Sequence, residues 1–189
     1  MNSIGIRRSE IYDHFHSNSA CQKFFFDPAN GAAYAAYYNS MYLLQDSTES
    51  LQLHRARDFS EEPLTAYLEF WGVLQAIIIQ QDSIVEIYET IVGQSLNPHK
   101  IPAWKEVREL RNICAGHPAK LDRSKHLPLK RAFVGRTFGN YETFTYEQWQ
   151  QGEGRSHPRI HLGKLFDKQA EAAEAQLAKI LSAMKRRWP

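Results

Sequence analysis

The sequence predicts a mainly α protein: an antiparallel helical bundle with a small β-hairpin inserted before its last helix. Three observations carry this. Apolar residues recur at three- and four-residue steps over several long stretches. Proline and glycine punctuate those stretches at the positions where helices begin and end. One aromatic and β-branched stretch, 129–149, changes period around Gly139-Asn140, a turn pair. The chain has 189 residues, 43% of them hydrophobic and 12% aromatic, which suits a single domain over 1–189 with a sizeable core.

The N-terminal 30 residues are mixed. A short helix is expected over 10–26, and Asp27-Pro28 and Asn30-Gly31 mark a turn. His14 and His16, two apart, suit neither one helix face nor a metal pair. The first strong helix is expected from 32 to about 57, with Tyr34, Tyr37 or Tyr38, Met41, Leu44, Thr48 and Leu51 in a stripe. His54-Arg55-Ala56-Arg57 closes it with positive charge, which suits the helix dipole and a phosphate contact alike.

Ser60 is the expected N-cap of the second helix, with Pro63 in its first turn and Gly93 beyond its end at Val92. Its apolar residues form two sets. Leu64, Leu68, Trp71, Leu74, Ile78, Val85 and Tyr88 make one; Phe70, Val73, Ile77, Ile84, Ile87 and Ile91 make the other. Two apolar faces place this helix at the centre of a bundle or at a dimer interface. Asp82 lies among apolar neighbours, so a cationic partner such as Arg111 is expected for it.

After a connector containing Asn97-Pro98, the stretch 104–118 reads WKEVRELRNICAGHP. Trp104, Val107, Leu110 and Cys114 share one helical face, and Gly116 and Pro118 predict a break. Arg111 and Asn112 then sit on the last turns and His117 at the kink. Without the break, residues six apart point about 120° from each other and do not converge. With it, a permanent cation, an amide and a group titrating near neutral pH gather at one helix end. A plain helix cap explains the same residue types, since the dipole favours Arg and His there.

From 120 to 136 the chain carries Lys120, Arg123, Lys125, Lys130, Arg131 and Arg136 against one acid, Asp122. That charge suits a phosphate-backbone surface or a solvated loop. Tyr141, Phe144, Tyr146 and Trp149 in the expected hairpin offer base stacking, though packing on the bundle is the simpler role. Residues 150–158 read as a loop. The final helix is expected over about 162–188, with a stripe from Leu165 to Met184 and a basic end.

The spacing of Arg111, Asn112 and His117, near the end of an inner helix, resembles the signature of the HEPN superfamily. These are small helical proteins named for higher eukaryotes and prokaryotes nucleotide-binding. Here Arg-Asn is followed by four residues and His. The resemblance covers about residues 30–120 plus the last helix, and the insertion at about 119–158 has no counterpart in the minimal family fold. It implies an HEPN-like bundle, a homodimer, and an endoribonuclease that cleaves RNA at a composite dimer site. On that reading Arg111 stabilises charge at phosphorus, His117 moves a proton, and Asn112 holds a phosphate or orients a catalytic side chain. Lys120, Arg123, Lys125, Lys130 and Arg131 position the RNA backbone, and Asp82 supports the site. The resemblance equally allows a non-catalytic nucleotide- or partner-binding module, or the toxin of a toxin–antitoxin pair whose antitoxin protein blocks the site.

The remaining expectations are absences. No phosphate-binding glycine loop, HExxH, GxSxG or CxxC pair occurs, and acidic clusters at metal spacing are lacking, so no metal and no cofactor is expected. Two distant cysteines, Cys21 and Cys114, give no disulfide framework. With no signal-peptide core and no run of about 20 apolar residues, a soluble, cytoplasmic protein without membrane contact is expected.

Overall fold

The computed structural model describes residues 2–116 and 130–189. Among these it contains six α-helices and five short strands. Helix α1 spans Asn2–Ser17 and α2 spans Ser19–Phe25, the Asn18 side chain accepting from the Cys21 N–H between them. The single helix expected over 10–26 is therefore two helices, and the first starts earlier. Ile4, Ile11 and Phe15 lie on one face and are buried, but with only one large apolar residue per turn the periodicity is faint.

Helices α3 (Gly31–Arg57), α4 (Pro63–Val92), α5 (Pro102–Arg111) and α6 (Leu162–Arg187) form the bundle. Their limits agree with the expected ones to within a residue or two, except at the end of α5, which stops at Arg111 before the break expected near Gly116. The cap of α4 differs. Glu62, rather than Ser60, is its N-cap, accepting from the N–H groups of Leu64 and Thr65 at 3.0 and 2.6 Å. Ser60 instead accepts from the Glu62 N–H, holding the capping residue in place. Gly93 ends α4 in the left-handed conformation at φ 73°. No helix among the described residues is long and apolar enough to cross a membrane.

Two apolar clusters fill the interior. One gathers α1, α2, the first half of α3, the last turns of α4, Trp104 and most of α6. The other gathers Leu51, the first half of α4, the rest of α5, the start of α6 and the inserted segment. Helix α3 passes from the first cluster to the second, α4 returns, α5 passes again and α6 returns. Successive helices thus alternate in direction, as in an up-down-up-down bundle.

A buried polar layer lies where the clusters meet. Gln80 Nε2 donates to Thr48 Oγ1 at 2.9 Å, and Gln169 Nε2 donates to Gln80 Oε1 at 2.8 Å. Trp104 Nε1 donates to the Gln169 carbonyl at 3.4 Å. Each of the four helices contributes one member.

The inserted segment departs from the single hairpin expected around Gly139-Asn140. Strand β1 (Lys130–Phe133) pairs antiparallel with β3 (Glu147–Gln150), which pairs with β4 (Gly154–Ser156). A second pair joins β2 (Phe144–Thr145) to β5 (Arg159–Ile160). The tight turn itself is present. Gly139 has φ 99°, a Cβ there would lie 1.8 Å from the Thr143 carbonyl oxygen, and Asn140 Oδ1 accepts from two N–H groups beyond it. The turn closes only a bridge from Gly139 to Phe144. Tyr141, Phe144 and Tyr146 go into the core, so the main ladder forms farther out and takes in residues expected as loop.

Tyr141 also anchors the insertion to the bundle. Its hydroxyl lies 2.8 Å from His54 Nδ1 inside the protein, and His54 Nε2 lies 3.4 Å from Glu69 Oε2. Glu69 accepts further from Arg57 at 2.9 Å and from the Ser60 N–H at 2.8 Å. Burial opposes the ionisation of Glu69, but the Ser60 N–H and Arg57 outweigh it and hold its carboxyl below the ordinary range. Burial, and then Arg57, push the His54 imidazole below its ordinary 6.5, against the pull of Glu69.

The fold therefore holds His54 neutral, whereas the unfolded chain takes up a proton below about pH 6.5. This contribution to stability is full above that pH and falls as pH drops through it. Denaturant titrations at pH 7.5 and 5.5 are expected to show wild type losing more stability on acidification than His54→Gln. Equal losses in the two proteins would exclude His54 as a source of the pH dependence.

Candidate functional site

Arg111 is the last residue of α5, and Asn112 opens a π-helical turn, Asn112–Gly116. The change of pitch therefore begins four residues before the break expected at Gly116. The wider turn lets consecutive residues reach the interior: Cys114 is buried, and Ile113 and Ala115 pack against the same cluster. Such turns occur preferentially where a helix carries function. Trp104, Val107, Leu110 and Cys114 all face the core, as their spacing predicts.

The guanidinium of Arg111 is held by two neutral acceptors. Nη1 donates to Asn112 Oδ1 at 2.9 Å, and Nη2 donates to Gln75 Oε1 of α4 at 3.3 Å. Asn112 and Gln75 are exposed and Arg111 half-buried, so the group lies at the surface. Among the described residues no carboxylate pairs with Arg111. Gln75 was not distinguishable in the sequence from the other polar positions of α4.

Asp82 corrects one expectation. It pairs with Arg108, not Arg111, and its side chain is 58% exposed rather than buried. The reason is register: α5 runs antiparallel to α4, bringing Arg108 to Gln81 and Asp82 and Arg111 to Gln75, two turns away along α4. Arg108 Nε also donates to Gln81 Oε1 at 2.8 Å, beneath the surface. Asp82 is thus part of a structural ion pair.

His117, Lys120, Arg123 and Lys125 lie outside the described residues. Lys130 and Arg131 are exposed on β1, which packs beside the π-helical turn. The basic end of α3 is already engaged. Arg55 pairs with Asp167 at 2.5 and 3.0 Å, Arg57 pairs with Glu69, and His54 is buried. A phosphate-binding role for these three residues is displaced by their internal partners.

Of the four aromatic residues of the insertion, Tyr141, Phe144 and Tyr146 are core residues, while Trp149 is exposed. Cys114, inside the Arg111–His117 stretch, is no candidate nucleophile. Burial pushes its thiol up to about 12, leaving almost no thiolate at neutral pH. At the other end, Cys21 is likewise buried and free.

The two arginines of α5 should separate cleanly by stability. Arg108→Ala leaves the buried Gln81 oxygen without its donor and is expected to cost roughly 1–3 kcal/mol. Arg111→Ala, which removes two surface contacts to amide oxygens among the described residues, is expected to cost about 0.5 kcal/mol or less. Urea denaturation of both variants checks this, and a larger loss for Arg111→Ala would mark it as structural.

No protein-family model, no curated protein and no solved structure matches this chain.

Proposed function

We propose that the chain is an HEPN-type endoribonuclease that binds an RNA phosphate at Arg111 and Asn112 and cleaves the strand through its own 2′-hydroxyl. The observation that carries this reading is the charge of Arg111, which sits at a helix end beside an amide and, among the described residues, is braced by neutral groups. Arg108, one turn earlier, has its acid; among the described residues Arg111 has none. A guanidinium so placed offers two N–H groups to a phosphate or to a pentavalent phosphorane.

In the reaction, the 2′-oxygen forms a bond to phosphorus and the bond from phosphorus to the 5′-oxygen breaks. The 2′-hydroxyl proton passes to a general base, and the leaving oxygen receives a proton. His117, whose ordinary pKa is about 6.5, is assigned the proton transfer. Arg111 keeps its proton throughout and stabilises charge. The ends produced are a 2′,3′-cyclic phosphate and a 5′-hydroxyl.

A second copy of the chain completes the site. The face of α4 leading to Gln75 carries Leu64, Leu68 and Trp71, 52%, 65% and 36% exposed, and gives such a copy an apolar surface to cover. An antitoxin protein that blocks Arg111 is compatible with the same arrangement.

A non-catalytic binding module is the second reading. It is favoured by the bond from Arg111 to Asn112, which holds a cation and an amide side by side, and binding a phosphate there needs neither an acid nor a base. The two readings part in one experiment. Incubated with single-stranded RNA in EDTA, the wild type is expected to cut, and Arg111→Ala and His117→Ala each to cut about 100-fold more slowly or worse. Undiminished cutting by both variants would contradict the assignment; thermal stabilisation by nucleotides with no cutting would favour the binding module.

A further inference from the structure

The three-stranded sheet of the insertion has two unlike faces. Residues directly opposite one another in an antiparallel pair point to the same side. The register sets Arg131 opposite Trp149, and Trp149 opposite Arg155. Phe133 and Glu147 form the next row on that side. Ala132, on the other side, packs against the second apolar cluster, so the face with Trp149 points outward.

That outward face is unusual for a surface. Phe133 is 65% exposed and Trp149 37%. Neither ring makes an aromatic or cation contact with any other described residue, although arginines stand on both neighbouring strands. Arg131 is exposed, and Arg155 is 74% exposed with a loose 3.7 Å contact to Glu147. Glu147 is the one acid in these rows. Arg131 and Arg155 each stand one strand spacing of about 4.8 Å from Trp149, and with Phe133 in the next row they make a stacking surface edged with positive charge.

We infer that this sheet face, centred on Trp149 with Arg131 and Arg155 at its sides and Phe133 beyond, is a docking platform for single-stranded RNA. A base stacks on Trp149, a second on Phe133, and the arginines hold the phosphates between them. Charge complementarity selects this occupant: an apolar protein partner would desolvate Arg131 and leave Arg155 with only its loose contact to Glu147, whereas a phosphodiester backbone supplies an anion per nucleotide. Double-stranded RNA is unsuited, because its bases are stacked on one another and closed to the rings. The platform deepens the ribonuclease reading and rests on it for the choice of RNA. Because β1 packs beside the π-helical turn, RNA held on the sheet is delivered toward Arg111 and Asn112.

The test is fluorescence anisotropy with a 5′-labelled, unstructured RNA of about 12 nucleotides, in the full chain carrying Arg111→Ala so that the probe stays intact. Trp149→Ala is expected to weaken binding about tenfold or more, and Trp149→Phe to retain most of it. Arg131→Ala with Arg155→Ala is expected to flatten the dependence of log affinity on log salt by about 1.4, from two lost phosphate contacts. Phe133→Ala, at the most exposed ring, gives a second variant with little risk to folding.

Unchanged binding in Trp149→Ala and Phe133→Ala overturns the platform, as does a duplex bound as tightly as the single strand. The outcome is separable from the cleavage reading. Cutting by the wild type with no Trp149 effect sinks the platform alone, and a Trp149 effect without cutting by the wild type sinks the nuclease alone.

Discussion

The bundle depends on one buried polar layer. Thr48, Gln80, Gln169 and the indole of Trp104 join α3, α4, α6 and α5 through hydrogen bonds of 2.8 to 3.4 Å at the boundary between two apolar clusters. Apolar contacts alone tolerate a helix sliding by a turn, because one leucine or isoleucine replaces another. A primary amide does not tolerate it. Sliding α4 would bury Gln80 away from Thr48 and Gln169, and each orphaned polar group costs about 1–3 kcal/mol. The layer therefore sets the register of the bundle more than it adds to stability.

Register, in turn, decides the chemistry available at the end of α5. Held where Trp104 meets Gln169, α5 presents Arg108 to Gln81 and Asp82 and Arg111 to Gln75. Two arginines three residues apart thereby acquire opposite characters. One is a neutralised strut over a buried amide; the other is a surface cation steadied by neutral oxygens. The insertion adds to this end of the molecule. Tyr141, Phe138 and Phe144 bury it in the second cluster, and the contact of Tyr141 with His54 ties it to α3. Its three-stranded sheet is carried beside the π-helical turn as a fixture of the bundle, with its unburied face turned outward.

Much of this architecture was legible in the sequence, for identifiable reasons. Long helices announce themselves: Pro63 and Gly93 bracket α4, and the face of α5 from Trp104 to Cys114 is regular enough to read directly. Helix α1 was obscured because its core residues, Ile4, Ile11 and Phe15, are sparse among polar ones. The turn at Gly139-Asn140 was found but its strands were not, since pairing of β1 with β3 is non-local and leaves no mark on periodicity. Among site residues, Arg111 and Asn112 occupy the surface at a helix end as expected. For Asp82, the sequence shows that an acid among apolar neighbours needs a cation but not that the helix register delivers Arg108 rather than Arg111. Trp149 could not be told from Tyr141, Phe144 and Tyr146 without strand pairing, which alone says which rings face outward.

The central claim is that the guanidinium of Arg111, held by the neutral oxygens of Asn112 and Gln75, serves a transesterification in which RNA supplies the nucleophile. The most direct measurement is mass spectrometry of the fragment ends from one RNA oligonucleotide and from the same oligonucleotide with a single 2′-deoxy sugar at the cut site. The account predicts a 2′,3′-cyclic phosphate end from the first and no cut at that position in the second. Equal cutting of both, or ends bearing a 5′-phosphate, would contradict it.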